Sequence, residues 1–169
     1  MKDEIVYKRL SKSDKPNIDN LIDICLKGLP RPEFFMPLSV EDKERFYDES
    51  YGIRLGAYDG GKIVATGGIY VAESKLEKIK SMLDLNDKKV CSLCNFLCLP
   101  EYRGRGIMSS IQSQLIEIAK DMNYETITAT AHPENIASMT CLSKKLTKVK
   151  IADFNGYTRA LMKLDLKTN

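Results

Sequence analysis

One junction in this chain reads Leu99-Pro100-Glu101-Tyr102-Arg103-Gly104-Arg105-Gly106-Ile107-Met108, and it joins an apolar segment to the most regular amphipathic segment. The apolar segment, residues 90–99, is typical of a buried strand. Residues 104–123 carry apolar side chains at helical spacing. A strand that leads through glycines into a helix exposes the first amides of that helix, and these suit a phosphate group. The junction therefore predicts an anion-binding turn.

The glycines of this turn leave two interpretations open. Glycine lets the backbone approach an anion without a Cβ atom in the way, and Arg103 and Arg105 add positive charge. A tight turn with two solvated arginines would contain the same residues. A Walker loop is excluded because no Gly-Lys-Ser/Thr follows at the needed spacing. A dinucleotide-binding fingerprint is excluded because Ser109 stands where a third Gly or Ala is required.

The rest of the chain alternates between strand and helix patterns. The predicted strands cover residues 4–10, 53–58, 62–72, 90–99, 125–131, 149–154 and 157–166, and the predicted helices cover 13–27, 40–50, 74–85, 104–123 and 133–145. Asp59-Gly60-Gly61 and Asn155-Gly156 are β-hairpin turns by their composition. Without repeats or linker-like segments, we predict one α/β (α+β) domain over residues 1–169.

Composition excludes several classes of protein. Of the 169 residues, 43% are hydrophobic and 29% are charged, which is typical of a globular domain. The net charge of +3 is too small to predict binding to nucleic acid or to an anionic membrane. No apolar run approaches the roughly 20 residues that span a bilayer. The charged N-terminus lacks the pattern of a secretory signal, so we expect a cytoplasmic protein.

The five cysteines do not form the pattern of a metal site or of a disulfide framework. Cys91, Cys94 and Cys98 lie on one predicted strand, and a second ligand pair for zinc is missing at useful spacing. On a regular strand Cys94 and Cys98 would face one side and Cys91 the other. We therefore expect reduced cysteines in the core and no bound metal.

The junction resembles the coenzyme A loop of the GNAT superfamily of acetyl-CoA-dependent N-acetyltransferases, whose pattern is Arg/Gln-x-x-Gly-x-Gly/Ala after a strand. Arg103 matches the first position and Gly106 the fourth, whereas Met108 stands where Gly or Ala is usual. We expect Met108 to point into the core. The order of elements is similar to that family from about residue 4 to 166. The resemblance implies a mixed, mostly antiparallel sheet flanked by helices, a splayed central strand pair, and acetyl-CoA as the co-substrate.

The resemblance also implies the residues that bind the cofactor. The pyrophosphate would lie on Arg103, Gly104, Arg105, Gly106, Ile107, Met108 and Ser109. The backbone of Leu97, Cys98 and Leu99 would contact the pantetheine arm. Asn135 and Ser138 match the Asn and the small residue that open the next helix in the family. Relatives often place a Tyr that protonates the leaving thiolate seven residues after this Asn, and here that position is Leu142.

Direct attack of an amine on the thioester requires a base and donors for the oxyanion. The strand over 90–99 contains no carboxylate, although many relatives have one there. His132, the only histidine, would lie beside the acetyl group, and an ordinary histidine pKa suits a base at neutral pH; the alternative is a loop histidine that caps or packs beside Pro133. Asn95 could hold a water or the acceptor amine, or be an ordinary hydrogen-bonded residue.

Phe34, Phe35 and Tyr70 are candidates for the acceptor pocket. The sequence thus leads to an N-acetyltransferase that acts on a primary amine of a small molecule or a peptide. The alternative is a catalytically weak or inactive module that binds acyl-CoA as a sensor or interaction domain. A purely structural protein would bind no cofactor at all. The C-terminal hairpin offers a strand edge through which two copies could form a homodimer.

Overall fold

Seven strands form one sheet in the computed structural model, which describes residues 4–167. The strands are β1 (Val6–Arg9), β2 (Gly52–Asp59), β3 (Lys62–Tyr70), β4 (Val90–Cys98), β5 (Thr126–Ala131), β6 (Thr147–Phe154) and β7 (Tyr157–Asp165). Their spatial order is β1-β2-β3-β4-β5-β7-β6. Every neighbouring pair is antiparallel except β4 and β5, which are parallel. This confirms the predicted mixed, mostly antiparallel sheet.

The helices of the described residues pack on this sheet and on one another. They are α1 (Lys15–Lys27), α2 (Val40–Glu44), α3 (Glu73–Met82), α4 (Ile107–Asp121) and α5 (Ile136–Ser143). In α4 the predicted apolar stripe is buried, with Ile111, Leu115 and Ala119 each at 0% exposure. Gly67 of β3 allows this close packing, because a Cβ atom there would lie 3.0 Å from Ile111. None of the helices within residues 4–167 has the length and apolar character that crossing a membrane requires.

The opposite face of the sheet carries α2 and α3. Tyr70 at the end of β3 donates a hydrogen bond to Asp42 of α2, and Lys75 of α3 forms an ion pair with the same carboxylate at 2.8 Å. In the sheet register Tyr70 pairs with Ser92, and Ser92 pairs with Thr128. Because paired residues share a face, Ser92 and Thr128 also lie on the side of α2 and α3.

β4 and β5 separate after three paired residues each, from Val90 to Ser92 on β4. A bulge follows on β4, where Asn95 has a left-handed φ of 54° and the register against β3 shifts. A bulge bends the strand that carries it, so the second half of β4 diverges from β5. The predicted splay of the central pair is confirmed.

The same bulge makes one sequence prediction wrong. Gly68 pairs with Cys94 while Ala65 pairs with Cys98, and these two residues of β3 face opposite sides. Cys94 and Cys98 therefore do not share a face, because the extra residue in β4 inverts the alternation. The five cysteines are free, and no metal-binding group occurs among the described residues.

Three helices are shorter than predicted by at least five residues. α2 ends at Glu44, well before residue 50, because Phe46 and Tyr51 turn into the core, where they are 4% and 0% exposed. α4 begins at Ile107 because Gly104 and Gly106 adopt left-handed φ angles of 71° and 77°. α5 covers only Ile136–Ser143, since the residues before it form a turn that Asn135 caps.

Candidate functional site

The junction between β4 and α4 presents free backbone donors. Ser110 is the first residue of α4 whose amide reaches back, to the carbonyl oxygen of Gly106 at 3.0 Å. The amides of Ile107, Met108 and Ser109 have no partner in residues 4–167, and no side chain there caps the helix. These amides lie at the positive end of the helix dipole. The first turn of α4 can therefore bind an anion.

Both glycines of the junction have room around them. A Cβ atom added at Gly104 or Gly106 would meet no atom within 4 Å, but their positive φ angles disfavour other residues. Ile107 is buried in the core, and Met108 is partly buried against it. This agrees with the expectation that Met108 points inward, so its bulk leaves the anion site open.

The charged residues of the junction are exposed and oriented by their neighbours. Arg103 donates from Nε to the carbonyl oxygen of Cys98, and Arg105 stacks 4.6 Å above the ring of Tyr102. Tyr102 in turn donates to Asp59 at 2.8 Å, which attaches the turn to the β2–β3 hairpin. The two guanidinium groups thus belong to the same turn as the free amides.

A further cation at this site was missed by sequence reasoning. Lys144, just after α5, donates to the hydroxyl of Ser109 at 2.8 Å. Its ammonium group therefore lies beside the first turn of α4. Nothing in the sequence marks Lys144, because it lies 35 residues from Ser109 and the contact depends on how α5 packs against α4.

The gap between β4 and β5 begins after Ser92, and β4 leads from it into this anion site. Leu97, Cys98 and Leu99 form its β4 side, and their side chains are buried. The amide of Leu99 already donates to the carbonyl oxygen of Val64 at 2.9 Å, so it is not free for a ligand. The contacts to the pantetheine arm that we expect for these three residues must therefore use backbone groups other than the Leu99 amide.

α5 borders the gap on the β5 side. Asn135 caps α5 by accepting a hydrogen bond from the amide of Ser138 at 3.3 Å, so the pair predicted from the sequence acts together. Leu142 is buried in the core at 8% exposure. A buried leucine side chain therefore occupies the position where relatives often have a tyrosine hydroxyl.

His132 lies at the end of β5 with 7% exposure. Its Nδ1 atom accepts a hydrogen bond from the amide of Glu134 at 3.2 Å, and its ring lies 5.1 Å from that of Phe34. Neutral His132 with Nδ1 as an acceptor carries its proton on Nε2. In this arrangement neither ring nitrogen has a free lone pair for accepting a proton.

Asn95, at the bulge, belongs to a polar cluster with Tyr70 and Asp42. The hydroxyl of Tyr70 lies 3.0 Å from Oδ1 of Asp42 and 3.2 Å from Oδ1 of Asn95. Because a hydroxyl has one proton, it donates to the charged carboxylate, and the Asn95 amide must present its NH₂ group to the tyrosine oxygen. The carbonyl oxygen of Asn95 then remains available to a ligand.

Asp42 is the anionic centre of this cluster. Tyr51 and Lys75 each lie 2.8 Å from its Oδ1 atom. Burial alone would raise the pKa of Asp42, but the hydrogen bonds from Lys75, Ser39 and Tyr51 outweigh it and hold the pKa well below its usual range. Asp42 is thus a fixed negative charge and a poor proton acceptor at neutral pH.

The predicted pocket aromatics occupy separate places. Phe34 lies between the guanidinium of Arg31 and the ring of His132, whereas Phe35 packs against the core. Tyr70 lies on β3 and is held by the Asp42 cluster. Phe34 and Tyr70 therefore border different candidate residues, the possible base His132 and the polar Asn95.

A model of the acetyltransferase (GNAT) family matches residues 25–146. No curated protein matches the chain.

Solved structures share the fold at low sequence identity. The NatC complex bound to Gag peptide and CoA is 17% identical with a TM-score of 0.73, covering 97% of this chain and 99% of that one. The yncA protein of Salmonella typhimurium with its cofactor acetyl-CoA is 13% identical with a TM-score of 0.71, covering 99% and 96%. The ribosomal-protein-alanine N-acetyltransferase from Brucella melitensis is 14% identical with a TM-score of 0.70, covering 95% and 99%.

Proposed function

The chain belongs to the acetyltransferase (GNAT) family, and on that premise we propose that it transfers an acetyl group from acetyl-CoA to a primary amine. The acceptor is a small molecule or a peptide, and the amine attacks the thioester directly. One observation carries this proposal: the amides at the start of α4 are unpartnered, and β4 leads into them from its gap with β5.

The residues around that turn fit the pyrophosphate of the cofactor. The free amides of Ile107, Met108 and Ser109 would donate to it, and the missing Cβ atoms of Gly104 and Gly106 leave room for its oxygens. Arg103, Arg105 and Lys144 would balance its charge. When bound, acetyl-CoA supplies the acetyl thioester that the amine attacks.

The gap between β4 and β5 would hold the pantetheine arm. Backbone groups of Leu97 and Cys98 would bind it on one side. The side-chain nitrogen Nδ2 of Asn135 is not used by the helix cap and could donate to it on the other side. Ser138 would then act through the cap that it forms with Asn135.

The acceptor amine must lose a proton before or during the attack. Asn95 cannot accept that proton, but its carbonyl oxygen would orient the amine or a water molecule beside it. His132 is the candidate base, and it would have to release the amide of Glu134 before Nδ1 could accept a proton. The leaving thiolate has a pKa of about 8.5 by analogy with cysteine, so the buried Leu142 does not prevent the reaction.

Acetyl transfer to a panel of primary amines, measured as release of the coenzyme A thiol, tests the proposal. We expect turnover by the wild-type chain and its loss in Gly106→Glu, because a carboxylate would repel the pyrophosphate. Gly156→Glu is the matched control, since Gly156 has a similar φ of 84° in a turn of the β6–β7 hairpin. Turnover by Gly106→Glu at the wild-type rate would contradict the assignment of the loop.

The second candidate is a module that binds acyl-CoA without efficient turnover. Two observations favour it: no carboxylate lies on β4, and a buried leucine occupies position 142. It predicts the same stabilisation by acetyl-CoA but no thiol release with any amine of the panel. A chain that is not stabilised by acetyl-CoA at all would contradict both candidates.

A further inference from the structure

Arg159 of β7 is a buried cation with an unused donor. The residue is 6% exposed, and its guanidinium is held on one edge by Thr130 of β5. Nε donates to the hydroxyl of Thr130 at 3.2 Å, and Nη2 donates to its carbonyl oxygen at 3.0 Å. Nη1 is buried without a partner in residues 4–167.

No carboxylate in the described residues forms an ion pair with Arg159. Burial lowers the pKa of Arg159 to about 10, so the group is still protonated at neutral pH. A buried charge without a counter-ion destabilises a fold. An anion supplied by a ligand would offset this cost.

The sheet register places Arg159 on the face of the sheet that carries α2 and α3. We call this face the acceptor side, because α4 and the amides proposed to bind the cofactor lie on the other face. Leu161 pairs with Thr130, and Arg159, two residues earlier on β7, has the same orientation. Thr130 lies on the face of Thr128, which is the face of α2 and α3. The amides proposed to bind the cofactor belong to α4, which packs on the other face. An amine that approaches the thioester from the face of α2 and α3 would therefore pass Arg159.

Two other side chains on this face, those of Lys150 and Lys78, are also positively charged. Lys150 of β6 pairs with Leu161 and is exposed, so it lies on the same face as Arg159. Lys78 of α3 reaches the β6–β7 turn, where it contacts Asn155 at 2.9 Å. The acceptor side of β7 is thus suited to an anion.

We propose that Arg159 determines acceptor specificity by binding an anionic group, a carboxylate or a phosphate, on the acceptor amine. This inference rests on the proposed acetyl transfer. Thr130 holds one edge of the guanidinium, so that Nη1 and the adjacent Nη2 face the anion in the two-donor geometry that suits carboxylates and phosphates.

Matched amine probes test this inference. Each pair has one anionic and one neutral member: β-alanine and β-alaninamide, phosphoethanolamine and ethanolamine, and a short peptide that begins with Asp and its counterpart that begins with Asn. We would measure kcat/KM by thiol release, and the thermal midpoint of the coenzyme A-loaded protein with each probe. The second readout does not require turnover, so it separates this inference from the proposed function.

In at least one pair we expect the anionic amine to be preferred by about tenfold or more, the smallest effect expected of a hydrogen bond between charged groups. The same member should raise the thermal midpoint more than its neutral partner. The pair that responds identifies the source of the anion.

Two variants decide whether Arg159 is responsible. Arg159→Met should abolish the preference and leave the affinity for coenzyme A unchanged, while Arg159→Lys should restore part of it. Lys163→Met is the matched control, because Lys163 is a cation on the same face of β7 that is already paired with Asp165. Equal responses to both members of every pair, including no response to any, would overturn the inference. So would an equal loss for both members in Arg159→Met.

Discussion

At the scale of single residues, two glycines have similar left-handed φ angles but different surroundings. Gly106 and Gly156 have φ angles of 77° and 84°, and an added Cβ atom would meet no atom within 4 Å at either position. An alanine at either position therefore has a strained backbone without a steric clash. Only Gly106 precedes free helix amides, whereas Gly156 lies in the turn between β6 and β7.

We predict that Gly106→Ala and Gly156→Ala each lower the free energy of unfolding by about 1–2 kcal/mol, the usual cost of left-handed alanine. Only Gly106→Ala should also weaken acetyl-CoA binding, because relief of the strain moves the amides of Ile107 and Met108. Denaturant unfolding and calorimetric titration of the two variants measure both effects. Equal dissociation constants for the two variants would contradict the proposed loop.

At the scale of elements, the segment over residues 29–38 is attached to the end of β5. Arg31 donates to Glu134 at 2.7 Å and also contacts Glu33, and Phe34 lies against His132. Because the Arg31 side chain is 43% exposed, these ion pairs contribute little to stability. Their effect is to hold the segment beside the candidate base.

We therefore predict that Arg31→Leu raises KM for the acceptor several-fold and leaves both the thermal midpoint and acetyl-CoA affinity nearly unchanged. The effect of the ion pair should also weaken at high salt, since exposed charges are screened. Arg9→Leu is the control, because Arg9 of β1 forms a similar exposed ion pair with Glu49. If both variants had the same KM as the wild type, the segment would have no part in acceptor binding.

At the scale of the whole molecule, two buried carboxylates link distant parts of the chain. Asp14 accepts from Tyr58 at 2.8 Å, and Asp42 accepts from Tyr51 and Lys75. Burial alone would raise the pKa of both carboxyl groups. The hydrogen bonds from the Ser11 amide and from Tyr58 nevertheless lower the pKa of Asp14, and the hydrogen bonds to Asp42 lower the pKa of Asp42 further. The folded state thus binds protons less readily than the unfolded chain.

The lowered pKa values of Asp14 and Asp42 determine how the stability of the fold changes with pH. The stabilisation is present above the unfolded pKa of about 3.9 and is lost as the pH falls through the lower folded values. We predict that Asp42→Asn loses roughly 2–4 kcal/mol of the free energy of unfolding at pH 7, because a buried ion pair is broken. Its free energy should then depend less on pH below about pH 5 than that of the wild type. Urea unfolding from pH 7 to 3 measures this. The exposed Asp87→Asn is the control, and an unchanged slope in Asp42→Asn would contradict the prediction.

Local patterns in the sequence were sufficient to predict the strand and helix order, the hairpins and the anion-binding turn. Strand alternation, helical spacing and the Asn155-Gly156 pair are properties of neighbouring residues, and backbone sterics decide them. The α/β class followed from these patterns, and the resemblance of the junction to a coenzyme A loop indicated the family. Domain extent, oligomeric state and the roles of individual site residues stay predictions.

The tertiary structure alone decided which distant groups meet. The bulge at Asn95 turned Cys98 to the opposite face of the sheet and separated β4 from β5, although no pattern of turn residues in the sequence marks it. Lys144 reaches Ser109 only through the packing of α5, and the unpaired donor of Arg159 follows from the absence of any nearby carboxylate in the folded residues 4–167. Such features depend on contacts between residues far apart in the chain, and local sequence carries no information on those contacts.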